Sequence, residues 1–169
     1  MTEKKEEYIR PSWDEYFLKI REAVSLRATC DRGKTGVVIT KNNTIIATGY
    51  VGSPPGLPHC NEAGHLMRKV TYEDGETREH CLRTIHAEAN AICHAAKHGV
   101  NLDGSTLYCK MEPCDTCAKL VIAAGIKRVV CEVGYHGAKR TRDMFAKAGV
   151  KIEVINDTHE KYDRMEVNE

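Results

Sequence analysis

Apolar positions first recur at helical spacing behind Ser12. Tyr16, Phe17, Ile20, Ala23 and Val24 fall on one face, and Glu15 stands three residues after Ser12. The pattern predicts a helix with a capping box, running to about Ala28. Val37-Val38-Ile39 and Ile45-Ile46-Ala47 flank Lys41-Asn42-Asn43 and predict a β-hairpin. From Gly52 to Arg83 periodicity breaks down, beginning with the turn chemistry of Gly52-Ser53-Pro54-Pro55-Gly56. This stretch is long, polar and rich in His and Cys. A loop of that length inside a compact domain needs a function or a staple.

Order returns at His86. A helix is predicted from about His86 to His98, a strand over Ser105–Lys110, and a helix over Asp115–Ala124. A strand over Lys127–Glu132, a helix over Lys139–Ala148 and a last strand over Lys151–Ile155 follow. Gly99, Gly125 and Gly149 end the three helices. Helices alternating with strands after a hairpin imply an α/β fold, a mixed sheet covered by helices on both faces. The expected organisation is a fraying segment 1–10, a single domain 11–155 containing the insertion 52–83, and a charged tail 156–169.

The 169-residue length suits one domain with one core, and 41% hydrophobic and 29% charged residues are ordinary for a globular protein. A net charge of +1 gives no general attraction to nucleic acid or to an anionic membrane, so a small anion must be met by local charge. No apolar run reaches the about 20 residues of a spanning helix, and Met1–Arg10 lacks the apolar stretch of a signal peptide. A cytoplasmic location is expected. There the eight cysteines read as metal ligands where clustered with His, and as small buried side chains where scattered.

Two short stretches carry the chemistry: His86-Ala87-Glu88 and Pro113-Cys114-Asp115-Thr116-Cys117. They offer an imidazole, two thiolates and a carboxylate. Zinc favours such nitrogen and sulfur ligands, and a catalytic site leaves its fourth position to water. Both stretches open predicted helices, whose N-termini favour thiolates. Cys114 and Cys117 lie one turn apart, so both can face one point. A closed structural site would need a fourth Cys or His nearby; Glu88 is better suited to moving protons. The H-x-E…P-C-x-x-C pattern is that of zinc nucleobase deaminases. In that reading His86, Cys114 and Cys117 hold zinc and Glu88 is the catalytic acid and base.

The chain resembles the deoxycytidylate deaminases, within the cytidine/deoxycytidylate deaminase superfamily. The resemblance runs from about Pro11 to Ile155. It rests on Ser12-Trp13-Asp14-Glu15-Tyr16-Phe17, Thr48-Gly49-Tyr50-Val51-Gly52-Ser53-Pro54, Arg83-Thr84-Ile85-His86-Ala87-Glu88-Ala89-Asn90-Ala91 and the Cys114 motif. The zinc motif specifies the superfamily; the Tyr50–Pro54 loop and the His/Cys-rich insertion specify the branch. The resemblance implies a three-layer α/β/α fold with a mixed five-stranded sheet. It implies hydrolysis of dCMP to dUMP and ammonia, which supplies dUMP for dTMP synthesis. It further implies a homo-hexamer, activation by dCTP with Mg2+, and inhibition by dTTP. Tyr50, Gly52 and Ser53 of the loop and Tyr135, where the family has a tyrosine beside the substrate, become candidate substrate or effector contacts. The chain departs from the family at Val51, where an Asn is usual and a polar contact is lost. Some family members carry a second, structural zinc. Cys30 and Cys60 match two of its ligand positions, with His65, His80 or Cys81 supplying the rest; surface His and buried Cys are the bland alternative.

Cys93, Cys109 and Cys131 read as core packing, His94 and His98 as an exposed helix face, and Trp13 as helix packing. Tyr135 and His136 follow a strand, where loops line pockets in α/β sheets. Arg27, Arg32 and Lys34 cluster after the first helix. They are solvated charge by default, and candidate phosphate or effector contacts because a nucleotide needs cations. Rival functions are deamination of dCTP as well as dCMP, deamination of tRNA adenosine or cytosine, and a non-enzymatic zinc module that binds nucleotides. The basic and aromatic surface of a strand binder is missing from the sequence, and an intact Glu88 argues for catalysis.

Overall fold

A computed structural model describes residues 9–71, 75, 77–135 and 137–160 of the protein. Helix α1 (Trp13–Ser25) opens on the predicted capping box: Glu15 N–H donates to Ser12 Oγ at 3.3 Å, and Ser12 N–H donates to Glu15 Oε2 at 2.7 Å. Strands β1 (Gly36–Lys41) and β2 (Thr44–Tyr50) form the expected hairpin. Asn42 and Asn43 carry its turn at φ of 51° and 57°, a left-handed pair that asparagine tolerates.

Beyond the insertion come α3 (Ala87–Lys97), β5 (Thr106–Met111), α4 (Asp115–Ala123), β6 (Arg128–Tyr135), α5 (Lys139–Ala148) and β7 (Lys151–Glu160). The sheet order is β2-β1-β5-β6-β7. The β2-β1-β5 pairs are antiparallel, and the β5-β6-β7 pairs parallel.

Alternation along the central strands divides the core in two. Val37, Ile39, Leu107, Cys109, Val129 and Cys131 face a large cluster that includes Ala87, Ala91 and Ala95 of α3, Ala118 and Val121 of α4, and Phe145 of α5. Val38, Tyr108 and Val130 face the other side, where Phe17 of α1 covers them. The result is the expected three-layer arrangement. On the α1 side, Arg128 donates to Asp14 and Glu153, and Arg21 pairs with Glu132 at 2.6 Å.

Four expectations need correction. The insertion is not irregular throughout: it holds a short helix, α2 (Cys60–Ala63), and a two-stranded ribbon of β3 (Met67–Thr71) and β4 (Thr77–Cys81). Strand β3 is largely exposed, so no buried face imprints a period of two on its sequence. Strand β6 continues past Glu132 through buried Val133 and Tyr135. Strand β7 continues past Ile155 to Glu160; it is an edge strand whose polar end is held by backbone pairing with β6. Cys93 is exposed, on the face of α3 opposite Ala91 and Ala95. The expected frayed residues 1–8, the tail from 161, and His136 lie outside the described residues. No helix among the described residues is long and apolar enough to cross a membrane.

Candidate metal centre and catalytic pocket

Two helix starts meet beneath the sheet end. His86 is the N-cap of α3 and Cys114 the N-cap of α4, yet neither side chain caps its own helix. Both turn instead to a common point. Cys114 Sγ lies 3.5 Å and Cys117 Sγ 3.4 Å from His86 Nδ1. A tetrahedral zinc, with bonds of about 2.0 Å to nitrogen and about 2.3 Å to sulfur, sets such N···S edges at about 3.5 Å. The donor set fits zinc in chemistry and in spacing.

Helix α3 is seated by Gly49 of β2. A Cβ at Gly49 would lie 2.5 Å from Ala91 N and would also strike the Ala87 carbonyl oxygen. This close approach carries His86 and Glu88, on either side of Ala87, to the sheet.

Proton affinities at the centre are strongly mixed. Hydrogen bonds from Cys117 and His86 hold the Cys114 thiol down at about 4. The same contact pushes Cys117 up, and Cys114 raises His86 to about 9. Glu88 keeps some surface open to the pocket, yet enough protein surrounds its carboxyl that desolvation raises its pKa. Such a carboxyl can hold a proton and return it.

A narrow cavity, partly open to solvent, lies over these groups. Its wall includes Thr35, Val51, His86, Glu88, Glu112 and Tyr135.

A second group of donors gathers in the insertion: Cys30, Cys60, His65 and Cys81, with ligand atoms all within 4.8 Å of one another. Cys60 Sγ and Cys81 Sγ are 3.6 Å apart, and Cys30 Sγ is 3.8 Å from His65 Nδ1. Burial pushes Cys60 up to about 12. Against its own burial, the Arg83 backbone N–H and His65 bring Cys81 down to about 7. His65 Nε2 also meets Asp31 at 2.9 Å, a carboxylate behind the imidazole of the kind that orients metal-bound histidines. Three thiols and an imidazole gathered this closely offer the donor set of a closed zinc site.

The family model for the cytidine and deoxycytidylate deaminase zinc-binding region matches residues 11–133. The chain belongs to that family. The deaminase is 39% identical over 146 residues to ComE operon protein 2 of Bacillus subtilis, covering 86% of this chain and 72% of the relative. It is 41% identical over 126 residues to the deoxycytidylate deaminase of Mycobacterium phage D29, covering 72% of this chain and 94% of the relative. The crystal structure of the dCMP deaminase from cyanophage S-TIM5, in complex with dCMP and dUMP, superposes with a TM-score of 0.68 at 32% identity. That match covers 88% of this chain and 100% of the other.

The deaminase brings His86, Glu88, Cys114 and Tyr135 to one pocket, with Cys117 buried beside His86. His80 stands outside the second donor group. Strand alternation turns it away from Cys81, and it feels the charges of His86 and Cys114 after burial has lowered its pKa. Arg27 and Lys34 are exposed and line neither this pocket nor the neighbouring cavity over Cys30 and His86. In the Tyr50–Pro54 loop it is Val51, not Tyr50, Gly52 or Ser53, that lines both cavities. The Tyr50 carbonyl accepts from Asn90 Nδ2 at 2.8 Å, and Gly52 bridges to Ile85. The Ser53 hydroxyl is buried without a hydrogen-bond partner among the described residues.

Sequence reasoning missed Glu112, Arg142 and Arg78. Glu112 is buried, accepts two hydrogen bonds from Arg142 at 2.6 Å each, and lines the pocket. Its position just before Pro113-Cys114 was the available signal. Arg78 donates to Tyr135 Oη at 3.2 Å across 57 residues of sequence, and nothing local announces it.

Proposed function

We propose that this deaminase hydrolyses dCMP to dUMP and ammonia. The observation that carries the reading is the convergence of His86, Cys114 and Cys117 at one point, with Glu88 on the wall of the same pocket. Zinc held by those three donors would supply Lewis acidity, making water a competent nucleophile near neutral pH. Glu88 accepts a proton from the attacking water and delivers it to the ring nitrogen beside the amine-bearing carbon. It carries a second proton to the amine as the carbon–nitrogen bond breaks, so ammonia leaves and a carbonyl remains. The raised proton affinity of Glu88 suits both transfers. Tyr135 and Val51 shape the wall against which the base lies.

The same proposal extends to a structural zinc on Cys30, Cys60, His65 and Cys81, closing the insertion over the first turn of the chain beyond α1. It places the enzyme in the cytoplasm as a homo-hexamer that supplies dUMP for dTMP synthesis, activated by dCTP with Mg2+ and inhibited by dTTP. Family resemblance supports these finer assignments. The crystal structure of the cyanophage enzyme in complex with dCMP and dUMP supports the substrate.

Ammonia release from zinc-loaded protein tests the reading, with dCMP, dCTP, deoxycytidine, cytosine and an adenosine-bearing tRNA hairpin as parallel substrates. Turnover of dCMP above the others is expected, and dCTP and dTTP added to the dCMP reaction test control. Preference for the hairpin, or equal rates on dCMP and deoxycytidine, refutes it.

A further inference from the structure

We propose that Arg78 is a positioning residue that holds Tyr135 against the catalytic pocket, and that the Cys30–Cys60–His65–Cys81 group keeps Arg78 in place. Arg78 lies on the β3–β4 ribbon of the insertion and is only 5% exposed. Burying a guanidinium is costly unless its donors are matched. One of them is spent on the Tyr135 hydroxyl, at 3.2 Å, in a buried contact.

Several contacts restrain Tyr135, among them ones at its backbone N–H, its ring and its hydroxyl. Its backbone N–H donates to Glu112 Oε2 at 2.9 Å. Its ring packs over Gly137, where a Cβ would lie 2.8 Å from the ring edge. Its hydroxyl meets Arg78. The first two restraints come from the main domain. The third comes from the insertion, so the pocket wall depends on where the insertion sits.

The geometry of β4 links that position to the second donor group. Arg78 and His80 share one face of the strand, and Cys81 belongs to the other. The Arg78–His80 face is turned to the catalytic side, since Arg78 meets Tyr135 and His80 lines one cavity with His86. Cys81 joins Cys60 at 3.6 Å, and it pairs with Met67 at the ribbon's base. Five residues of strand thus span both centres, and among the described residues β3 and β4 pair only with each other.

A double-mutant cycle on the full-length enzyme tests this, using Arg78→Met, Tyr135→Phe and their combination. The kinetic arm rests on the dCMP reading above. Each single change is expected to lower kcat/KM for dCMP about 10- to 100-fold, with the double variant no worse than either. Arg78→Lys is expected to recover part of the loss. Multiplying effects in the double variant overturn the proposal, because Arg78 would then act elsewhere than through the Tyr135 hydroxyl.

A second arm needs no turnover. Hydrogen exchange in Arg78→Met is expected to rise both in β4 and in the backbone around Tyr135. Zinc-loaded Cys60→Ala, which empties the second group alone, is expected to show the same paired rise, while its central strands stay protected. Unchanged exchange around Tyr135 in Arg78→Met rejects the role of Arg78, and in Cys60→Ala rejects the role of the donor group. A wild-type enzyme that ignores dCMP removes the functional reading and leaves the exchange result to decide this one.

Discussion

The buried carboxylate of Glu112 accepts the backbone N–H of Tyr135 at 2.9 Å while Arg142 clamps both of its oxygens. Glu112 has no exposed side-chain surface, whereas Arg142 is 48% exposed. The two partners are therefore unequal. Arg142→Met leaves a charge buried with a single backbone donor, and is expected to cost about 3 kcal/mol. Glu112→Gln keeps an acceptor for Tyr135 and frees Arg142 to water, and is expected to cost about 1 kcal/mol. Urea unfolding of the two variants checks the order; Glu112→Gln as the more damaging change contradicts it.

Glu88→Gln tests the division of labour at the centre. The amide is nearly isosteric and leaves His86, Cys114 and Cys117 intact, so zinc content is expected to stay at the wild-type level. Turnover is expected to fall by at least about 1,000-fold, because an amide cannot accept and return a proton at this position. Cys114→Ala should instead lose both metal and activity. Metal analysis beside an ammonia assay separates the two. Substantial turnover by Glu88→Gln assigns the proton transfers to another group.

Most elements were legible because their signals are local. The Ser12–Glu15 cap, the Asn42-Asn43 turn and the glycines at 99, 125 and 149, all at positive φ, each announce themselves within four residues. The zinc ligands were legible for the same reason, as two short motifs. What the sequence hid is long-range or weakly patterned. Strand β3 lacks a buried face, the end of β7 is polar and held by pairing, and Arg78 reaches Tyr135 from an unrelated segment. The ligand set of the second group stayed open among His65, His80 and Cys81 because it depends on which face of β4 each residue occupies.

The second donor group predicts a countable metal. Fully loaded protein is expected to hold two zinc ions per chain, and Cys60→Ala to hold one. His80→Ala should retain both, since His80 lies outside the group. Loss of the second zinc removes the tie between the ribbon and the segment at Cys30, so thermal unfolding of Cys60→Ala should begin earlier. One zinc per chain in the fully loaded wild type contradicts the site.

Acid should weaken the Asp14–Arg128–Glu153 network. The Arg128 hydrogen bonds hold Asp14 below its ordinary 3.8, and bring Glu153 from 4.5 down to about 2. A depressed carboxylate contributes stability that is complete above its unfolded pKa and is lost as pH falls towards the folded one. The loss should therefore run from about pH 5 down to about pH 2. Arg128→Met is expected to be about 1–2 kcal/mol less stable at pH 7, with the gap narrowing below about pH 5 and closing by about pH 2. Urea midpoints at several pH values read this directly, and a gap that widens in acid has the wrong sign.

Gly49 sets the depth at which α3 meets the sheet, and with it the catalytic residues. Its missing side chain lets Ala87 and Ala91, 1% and 0% exposed, pack on the β2 backbone. In Gly49→Ala the new methyl meets backbone atoms of α3 rather than a flexible side-chain tip, so the helix itself must move. The expected cost is about 2–3 kcal/mol of overpacking. Displacement of His86 and Glu88, which flank Ala87, should also lower activity at temperatures where the variant is still folded. Gly56→Ala supplies the control. Gly56 has a φ of +87° but open space around its Cβ position, so it carries backbone strain of about 1 kcal/mol without a clash. Gly56→Ala should lose a little stability and keep its activity. Equal activity losses in the two variants would show that generic destabilisation, not the seating of α3, governs the site.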